Sequence, residues 1–436
     1  MQQKPTALPT FKNLAPNERI EKRISVALVG YGRQGELIID TLPRIPGIHI
    51  AAIADIWPWR RELAKNRLRA LRLSPNLYET LDEMLHAEGD KIDAVIIATP
   101  DWQHVNHVSA CLKANKHVYC DGEISDSSAK AQELVKLVNE KKLLVQCGHQ
   151  RRSNPRYRYV FDKLNHKNGI PGTVTHAYTQ WHRCITPLIH VPNRFAMSIA
   201  DLQRHGYENM EQLLNWEWFT RFGLGDVAYR TGQKLDLLRW FWNAEPCSVT
   251  AIGDNDYYHR EAPDCLMSIF TFKLPTGKIR RGYVQVLSTN SSGGDVEKFG
   301  TNYSQLQISE VPTNFQLVSV RASCRNFEEE KVHERVRTLI KYGMLLSPKK
   351  APPREFSREP VIEARDDSEA TELLLPFQPI SSPISPHLEN FISAIRDDTE
   401  LRDPIEQASK NLIALEAAVQ SARERRTIDL PLTARL

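Results

Sequence analysis

Gly30-Tyr31-Gly32-Arg33-Gln34-Gly35 follows the apolar run Ile24–Val29 and opens the helical stretch Glu36–Asp40. Strand, tight turn and helix, in that order, give G-x-G-x-x-G its meaning as a dinucleotide loop. The first glycine permits the turn, the second lets backbone approach a pyrophosphate, and the third lets helix and strand pack closely. Tyr31, Arg33 and Gln34 belong to the same loop, whose unpaired N–H groups at the helix's positive end hold the anion. Twenty positions after Gly35, Asp55 closes a second apolar run, Ile48–Ala54. A carboxylate there accepts hydrogen bonds from a ribose 2′-hydroxyl and repels a 2′-phosphate, so NAD is the first reading. Arg60 and Arg61 follow closely enough to reach a 2′-phosphate, and NADP stays second.

Around this loop, strand-like and helix-like runs alternate from Arg23 to about Cys147. Strands are expected at Ile92–Ala98, His117–Cys120 and Leu143–Cys147, with helices at 58–73, 79–88, 104–113 and 127–141. Alternation of this kind means a doubly wound parallel sheet of α/β class. The ligand crevice then lies beyond the carboxyl ends of the strands. That selects Thr99, Pro100 and His104, then Asp121, Gly122 and Glu123, then Gln150 and Arg151. The spacing of His104 and His107 has no carboxylate or cysteine to complete a metal set, and no metal is expected. After His149 the texture turns to longer β-type runs at Thr173–His182, Ser248–Gly253, Leu266–Phe272, Arg281–Thr289 and Tyr303–Ser309. Helical stretches at 210–222 and 226–242 interrupt them, so a C-terminal α+β domain with a large, mostly antiparallel open sheet is expected. The expected layout is a flexible arm over 1–20, a dinucleotide domain over 21–148, and a substrate and oligomerisation domain over 149–436. A loop over 348–386, with Pro352, Pro353, Pro376 and Pro383, interrupts the last of these before terminal helices at 387–396 and 404–425.

Composition excludes more than it selects. A formal charge of +4 over 436 residues implies no polyanion partner. The basic run from Arg60 to Arg72 is broken by Leu63, Leu68 and Leu71, which reads as a solvated helix face rather than a nucleic-acid stripe. Seven scattered cysteines without a C-x-x-C support neither a disulfide framework nor a zinc cluster. With no signal-peptide core and no apolar run of membrane-spanning length, a cytoplasmic location is expected.

Taken in order and spacing, these segments resemble the glucose–fructose oxidoreductase/inositol dehydrogenase (Gfo/Idh/MocA) family. The residues that carry the likeness are Gly30–Gly35, Asp55, Thr99-Pro100-Asp101-Trp102-Gln103-His104 and His117-Val118-Tyr119-Cys120. Further along they are Gly148–Tyr157, Asn215-Trp216-Glu217-Trp218 and His387-Leu388-Glu389-Asn390-Phe391. The resemblance implies a Rossmann domain followed by an α/β domain with a large sheet, homo-oligomers formed through that sheet, and NAD(P)-dependent oxidation of a sugar or cyclitol hydroxyl.

Such a reaction needs a group to take the hydroxyl proton, and the resemblance implies a Lys in a Glu-Lys-Pro motif with Asp and His on a second-domain helix. This chain departs at all three. Asp121, Gly122 and Glu123 stand at the motif, and aligning Asp236 with the family pattern puts Tyr229 and Gln233 at the Asp and His positions. Tyr229, a phenol whose pKa a neighbouring NAD⁺ would lower, is one candidate for proton transfer. Glu123 or Asp121 is another. Lys234 is a third, although it lies about 100° round the helix from Gln233. Trp181, His182 and Arg183 close a β-run where a sugar ring could rest on the indole, and join Gln150 and Arg151 as candidate substrate contacts. Trp216, Trp218, Trp240 and Trp242 are read as packing residues. Three functions fit: an NAD-dependent oxidoreductase of a carbohydrate-like substrate with rewired acid–base residues, an NAD-retaining glycoside hydrolase or lyase working by transient oxidation, and a non-catalytic NAD(H) sensor.

Overall fold

The structure is a computed structural model. It describes residues 23–162, 173–184, 191–290, 294–301, 304–308, 317–321, 341, 370–374, 382 and 384–430. The expected arm over 1–20, most of the loop over 348–386, and Cys324 lie outside the described residues.

Six strands form the first sheet: β1 (Ile24–Val29), β2 (Ile48–Ala54), β3 (Asn76–Tyr78), β4 (Ala94–Ile97), β5 (His117–Cys120) and β6 (Val145–Cys147). Their order is β3-β2-β1-β4-β5-β6, and every pairing is parallel. Strands covered on both faces read as near-continuous apolar runs, as Ile24–Val29 and Ala94–Ile97 do. The order reverses between β1 and β4, so a crevice opens beyond their carboxyl ends. Helices α1 (Arg33–Thr41), α2 (Pro58–Ala70), α3 (Leu81–Glu88), α4 (His104–Lys113) and α5 (Ser128–Lys141) supply the crossovers. Pro58 opens α2, where a missing N–H costs nothing. Thr80 caps α3 by accepting from the Glu83 N–H at 3.2 Å. The short strand β3 was not anticipated, because three residues show no periodicity.

The second sheet has nine strands in the order β14-β13-β12-β11-β7-β10-β9-β8-β15. They are β7 (Val174–His182), β8 (Pro246–Ile252), β9 (Cys265–Lys273), β10 (Ile279–Leu287), β11 (Gly294–Thr301), β12 (Ser304–Ile308), β13 (Leu317–Arg321), β14 (Ala370–Leu374) and β15 (Ile428–Asp429). All pairings are antiparallel except β7 with β10. Strand β14 falls inside the segment expected to be a loop, a correction at 370–374. Its five residues recruit Leu373 and Leu374 to the edge strand β13, a pairing partner that local composition does not reveal.

Between the sheets runs helix Asp226–Trp242, whose bounds match the expectation. One side, with Val227, Leu235 and Leu238, joins the core of the second sheet, while Ala228 joins the core of the first. The expected single helix over 210–222 is instead a short helix, Met210–Leu214, followed by two 3₁₀ turns at Trp216–Trp218 and Thr220–Phe222. Chain order does not separate the two cores. Leu388, Phe391 and Ile392 of helix Ser385–Asp397 pack with Ile24, Leu28 and Ile96, and helix Ile405–Glu424 lends Ile405, Leu412 and Leu415 to the first core.

Behind the inner face of the second sheet, Lys234 is buried beside Asp295 and Glu297, with Nζ 2.5 Å from Glu297 Oε1. Arg151 joins the same cluster, 2.6 Å from Asp295. Removing one partner of such a group strands a buried charge, at about 3–5 kcal/mol. Lys234→Met is therefore expected to lower the unfolding free energy by that amount, read from denaturant curves, while leaving dinucleotide affinity per folded molecule unchanged. A stable variant that loses binding would place Lys234 at the crevice instead.

Candidate functional site

A cavity of about 1080 Å³ opens at the switch point and runs on beneath the second domain. Its near wall is the glycine loop. Gly30 has φ +91°, and a Cβ there would lie 2.5 Å from the Ala98 carbonyl oxygen at the end of β4. A Cβ on Gly35 would lie 2.1 Å from the Gly30 oxygen, so loop and helix touch through backbone alone. Gly32 is different, since nothing stands within 4 Å of its Cβ position. Its backbone is open to the cavity, and this is the surface that a pyrophosphate needs. Arg33 and Gln34 also line the cavity. Tyr31 does not: its ring is buried in the first core, and its backbone N–H donates to Asp55 Oδ2 at 2.7 Å. The other Asp55 oxygen accepts from Trp57 N–H at 2.8 Å. Each oxygen keeps a further lone pair, and Asp55 lines the cavity.

Arg60 lies over the rings of Trp57 and Trp59 at this end, whereas Arg61 donates to the Asp55 carbonyl at 2.5 Å. A strap from the second domain comes down here. Trp57 Nε1 donates to the Phe195 carbonyl at 2.7 Å, Trp59 stacks on Phe195, and Arg204 pairs with Glu79 at 2.7 Å. Sequence reasoning missed this strap because 191–207 carries no regular periodicity. The tryptophan pair around Pro58 was the available signal.

Further along, Thr99, Pro100 and Asp101 line the cavity from the end of β4, and Asp121, Gly122 and Glu123 from the end of β5. His104 stands behind them, fully buried between the carbonyls of Glu123 (2.6 Å) and Thr99 (2.8 Å). Its role is to brace the two strand-end loops. Gly122 has φ +92°, a region favouring glycine, and a Cβ there would approach Asp101 Oδ1 to 3.2 Å. The backbone at this position is thus built for glycine, and a lysine side chain would enter it strained.

Helix Asp226–Trp242 supplies the far wall through Tyr229, Arg230 and Gln233. The Tyr229 hydroxyl has no hydrogen-bond partner among the described residues. Burial, then the charge of Asp101, pushes this phenol well above its ordinary value, the opposite of a lowered phenol. Asp101 itself is pushed well up by burial and then by Glu217, Glu123 and Asp121. Glu123 is 1% exposed, and its Oε2 also lacks a partner among the described residues. Gln150, Arg183 and Trp216 complete the lining, which makes Trp216 wall as well as packing residue. Trp181 supports Arg230 from behind, ring to guanidinium at 5.2 Å, and the His182 ring meets Asn290 at 3.2 Å. Neither Trp181, His182 nor Arg151 lines the cavity.

Burial, offset by hydrogen bonds from Gln34 and Tyr119, raises the Asp121 carboxyl to about 6. A raised carboxyl favours the folded state only while protonated. Its contribution is full below the ordinary value of 3.8 and is lost as pH rises through about 6. Asp121→Asn is expected to gain about 2–3 kcal/mol on the parent between pH 4 and pH 7. Denaturant midpoints at the two pH values measure it, and parallel curves would contradict it.

Residues 24–149 match the Gfo/Idh/MocA family, described as an oxidoreductase family with an NAD-binding Rossmann fold. The chain is 31% identical to the inositol 2-dehydrogenase of Rubrobacter xylanophilus over 164 residues, 37% of this chain and 44% of that one. It is 23% identical to the 2,7-anhydro-N-acetylneuraminate hydratase of Escherichia coli over 258 residues, 59% of this chain and 60% of that one. Both matches span less than two thirds of the relative's own length. The WlbA dehydrogenase of Bordetella pertussis, solved with NADH and UDP-GlcNAcA, shares the fold at a TM-score of 0.66 and 17% identity, covering 94% of this chain and 99% of that one. Among the described residues, no helix is long and apolar enough to cross a membrane. With its glycine loop and switch-point crevice, the matched stretch 24–149 carries the NAD-binding Rossmann fold that this family model describes.

Proposed function

We propose that this chain is an NAD-dependent oxidoreductase acting on a hydroxyl of a sugar, cyclitol or sugar-derived substrate. One observation carries the reading: Glu123 and Tyr229, whose Oε2 and hydroxyl are buried and without a partner among the described residues, belong to the wall of the cavity that the glycine loop opens. When bound, the dinucleotide supplies the hydride acceptor. The residues of this chain handle the proton. Tyr229, kept protonated by burial, donates a hydrogen bond that orients the substrate oxygen. Glu123 takes the hydroxyl proton at Oε2 as the carbon–oxygen bond becomes a carbonyl, a transfer worth about 10²–10⁴-fold. The Asp101 carboxyl, raised by burial, is a further polar group of this wall, and the Gln233 amide offers both a donor and an acceptor. Asp55, with Arg61 turned to the backbone, favours NAD over NADP.

A second reading is a redox-neutral hydratase or lyase that restores its NAD in each turnover. The strap supports it, because Phe195 and Arg204 close the adenosine end of the cavity and oppose exchange of cofactor. The match to the Escherichia coli hydratase also runs past the Rossmann domain into the second.

Purified protein is denatured, the released dinucleotide is identified, and the native protein is assayed on panels of polyols, sugars and anhydro-sugars. Net NADH formation, reduced 10²–10⁴-fold in kcat by Glu123→Gln and less by Tyr229→Phe, is expected. Turnover without net NADH selects the second reading. Activity untouched by Glu123→Gln, or a folded protein that binds no dinucleotide, overturns the first.

A further inference from the structure

Glu123 is held by a chain of buried groups that leads away from the cavity. Its Oε1 accepts from His149 Nε2 at 3.2 Å, and His149 Nδ1 lies 2.6 Å from Asp403 Oδ2. Asp403 is itself fixed, since its carbonyl accepts from Cys147 N–H at 2.9 Å and its carboxylate from His149 N–H at 3.3 Å. It stands just before helix Ile405–Glu424, whose Asn411 places Nδ2 3.3 Å from His149 Nε2 and donates to the Gly232 carbonyl at 3.0 Å. Gly232 makes the arrangement possible, because a Cβ there would fall 2.3 Å from Glu123 Oε1. One carboxylate oxygen is thus tied down, and the other is buried without a partner among the described residues. We propose that His149, backed by Asp403, is a positioning residue that clamps Glu123 as the proton acceptor of the reaction. This rests on the reading of Glu123 given above.

The ring has a carboxylate on each nitrogen, so as an imidazolium it donates to both. Burial opposes that charge, but Asp403, Asp236 and Glu123 together push His149 well above its ordinary value. The other charged or titratable groups facing it are Arg152 and His387. Arg152 is bidentate to Asp236 at 2.7 Å and lies 3.8 Å from Asp403. His387 is held neutral by burial, its pKa lowered to about 4. Although His149, Asp236 and Asp403 lie close enough to ligate a cation, the Arg152 guanidinium already supplies positive charge among them.

His149→Gln keeps an N–H donor for Glu123 and removes the charge. With a substrate from the panel, kcat is expected to fall at least 10-fold and the acid limb of its pH profile to move up by about one unit or more. KM and dinucleotide affinity stay within about threefold, which a merely structural loss would not produce. Asp403→Asn should shift the limb in the same direction by less. A folded His149→Gln with unchanged kcat and profile overturns the proposal. Nitrogen-15 spectra of the histidine-labelled full chain decide the clamp even if no substrate turns over. Both ring nitrogens of His149 are expected to stay protonated to pH 8, with the transition moving down in Glu123→Gln. A ring that is neutral at pH 7 overturns the clamp, whereas an intact clamp in a protein without turnover overturns the proposed function instead.

Discussion

Helix Asp226–Trp242 is buried on both flanks, and the site depends on that constraint. A helix packed against one sheet presents one stripe to a core. This one serves two cores and a cavity, so nearly every position along it is committed. Leu238 lies so close to the second sheet that a Cβ on Gly282 would fall 2.3 Å from its Cδ1. On the other flank, Gly232 gives Glu123 the room that a side chain would take. Tyr229 and Gln233, one turn apart, face the cavity, and Lys234, one step round, is delivered to Asp295 and Glu297. The helix thus divides its polar residues between chemistry and structure.

The junction it forms is dense in charge. Asp101 approaches from the loop after β4, Asp121 and Glu123 from the loop after β5 and Glu217 from the turn Trp216–Trp218, and burial raises the Asp101 carboxyl. Buried charges are tolerated where they are paired, and the pairs here are graded by position. Lys234, Arg151, Asp295 and Glu297 neutralise one another away from the cavity. Arg152 and His149 balance Asp236 and Asp403 behind it. Glu123 and Tyr229, each with a buried polar atom unpartnered among the described residues, belong to the cavity wall. At the far end, Trp57, Trp59 and Phe195 close the adenosine side by ring contact and one indole hydrogen bond.

The glycine loop, Asp55, the alternation up to Cys147 and helix Asp226–Trp242 were legible because each is fixed by local chemistry: a turn that needs glycine, a strand that must be apolar, a helix with its own period. Strands β3, β11, β13, β14 and β15 were not, since each exists through pairing with a neighbour that its own composition does not reveal. The strap over 191–207 was equally silent. Trp216 does both, packing against the cluster of Leu202, Tyr207 and Phe222 and lining the cavity, and a sequence pattern shows only the first.

Sequence by itself determined the Rossmann sheet, the place of the dinucleotide loop and the glycine that follows β5. Tertiary structure decided what surrounds that glycine. Only in three dimensions does Gly122 take a φ of +92° beside Asp101, while Glu123 gives one oxygen to His149 and keeps the other buried without a partner among the described residues. His149 and Asp403 stand 254 residues apart. No local pattern links them, because what joins them is a buried charge that had to find its partner across the fold.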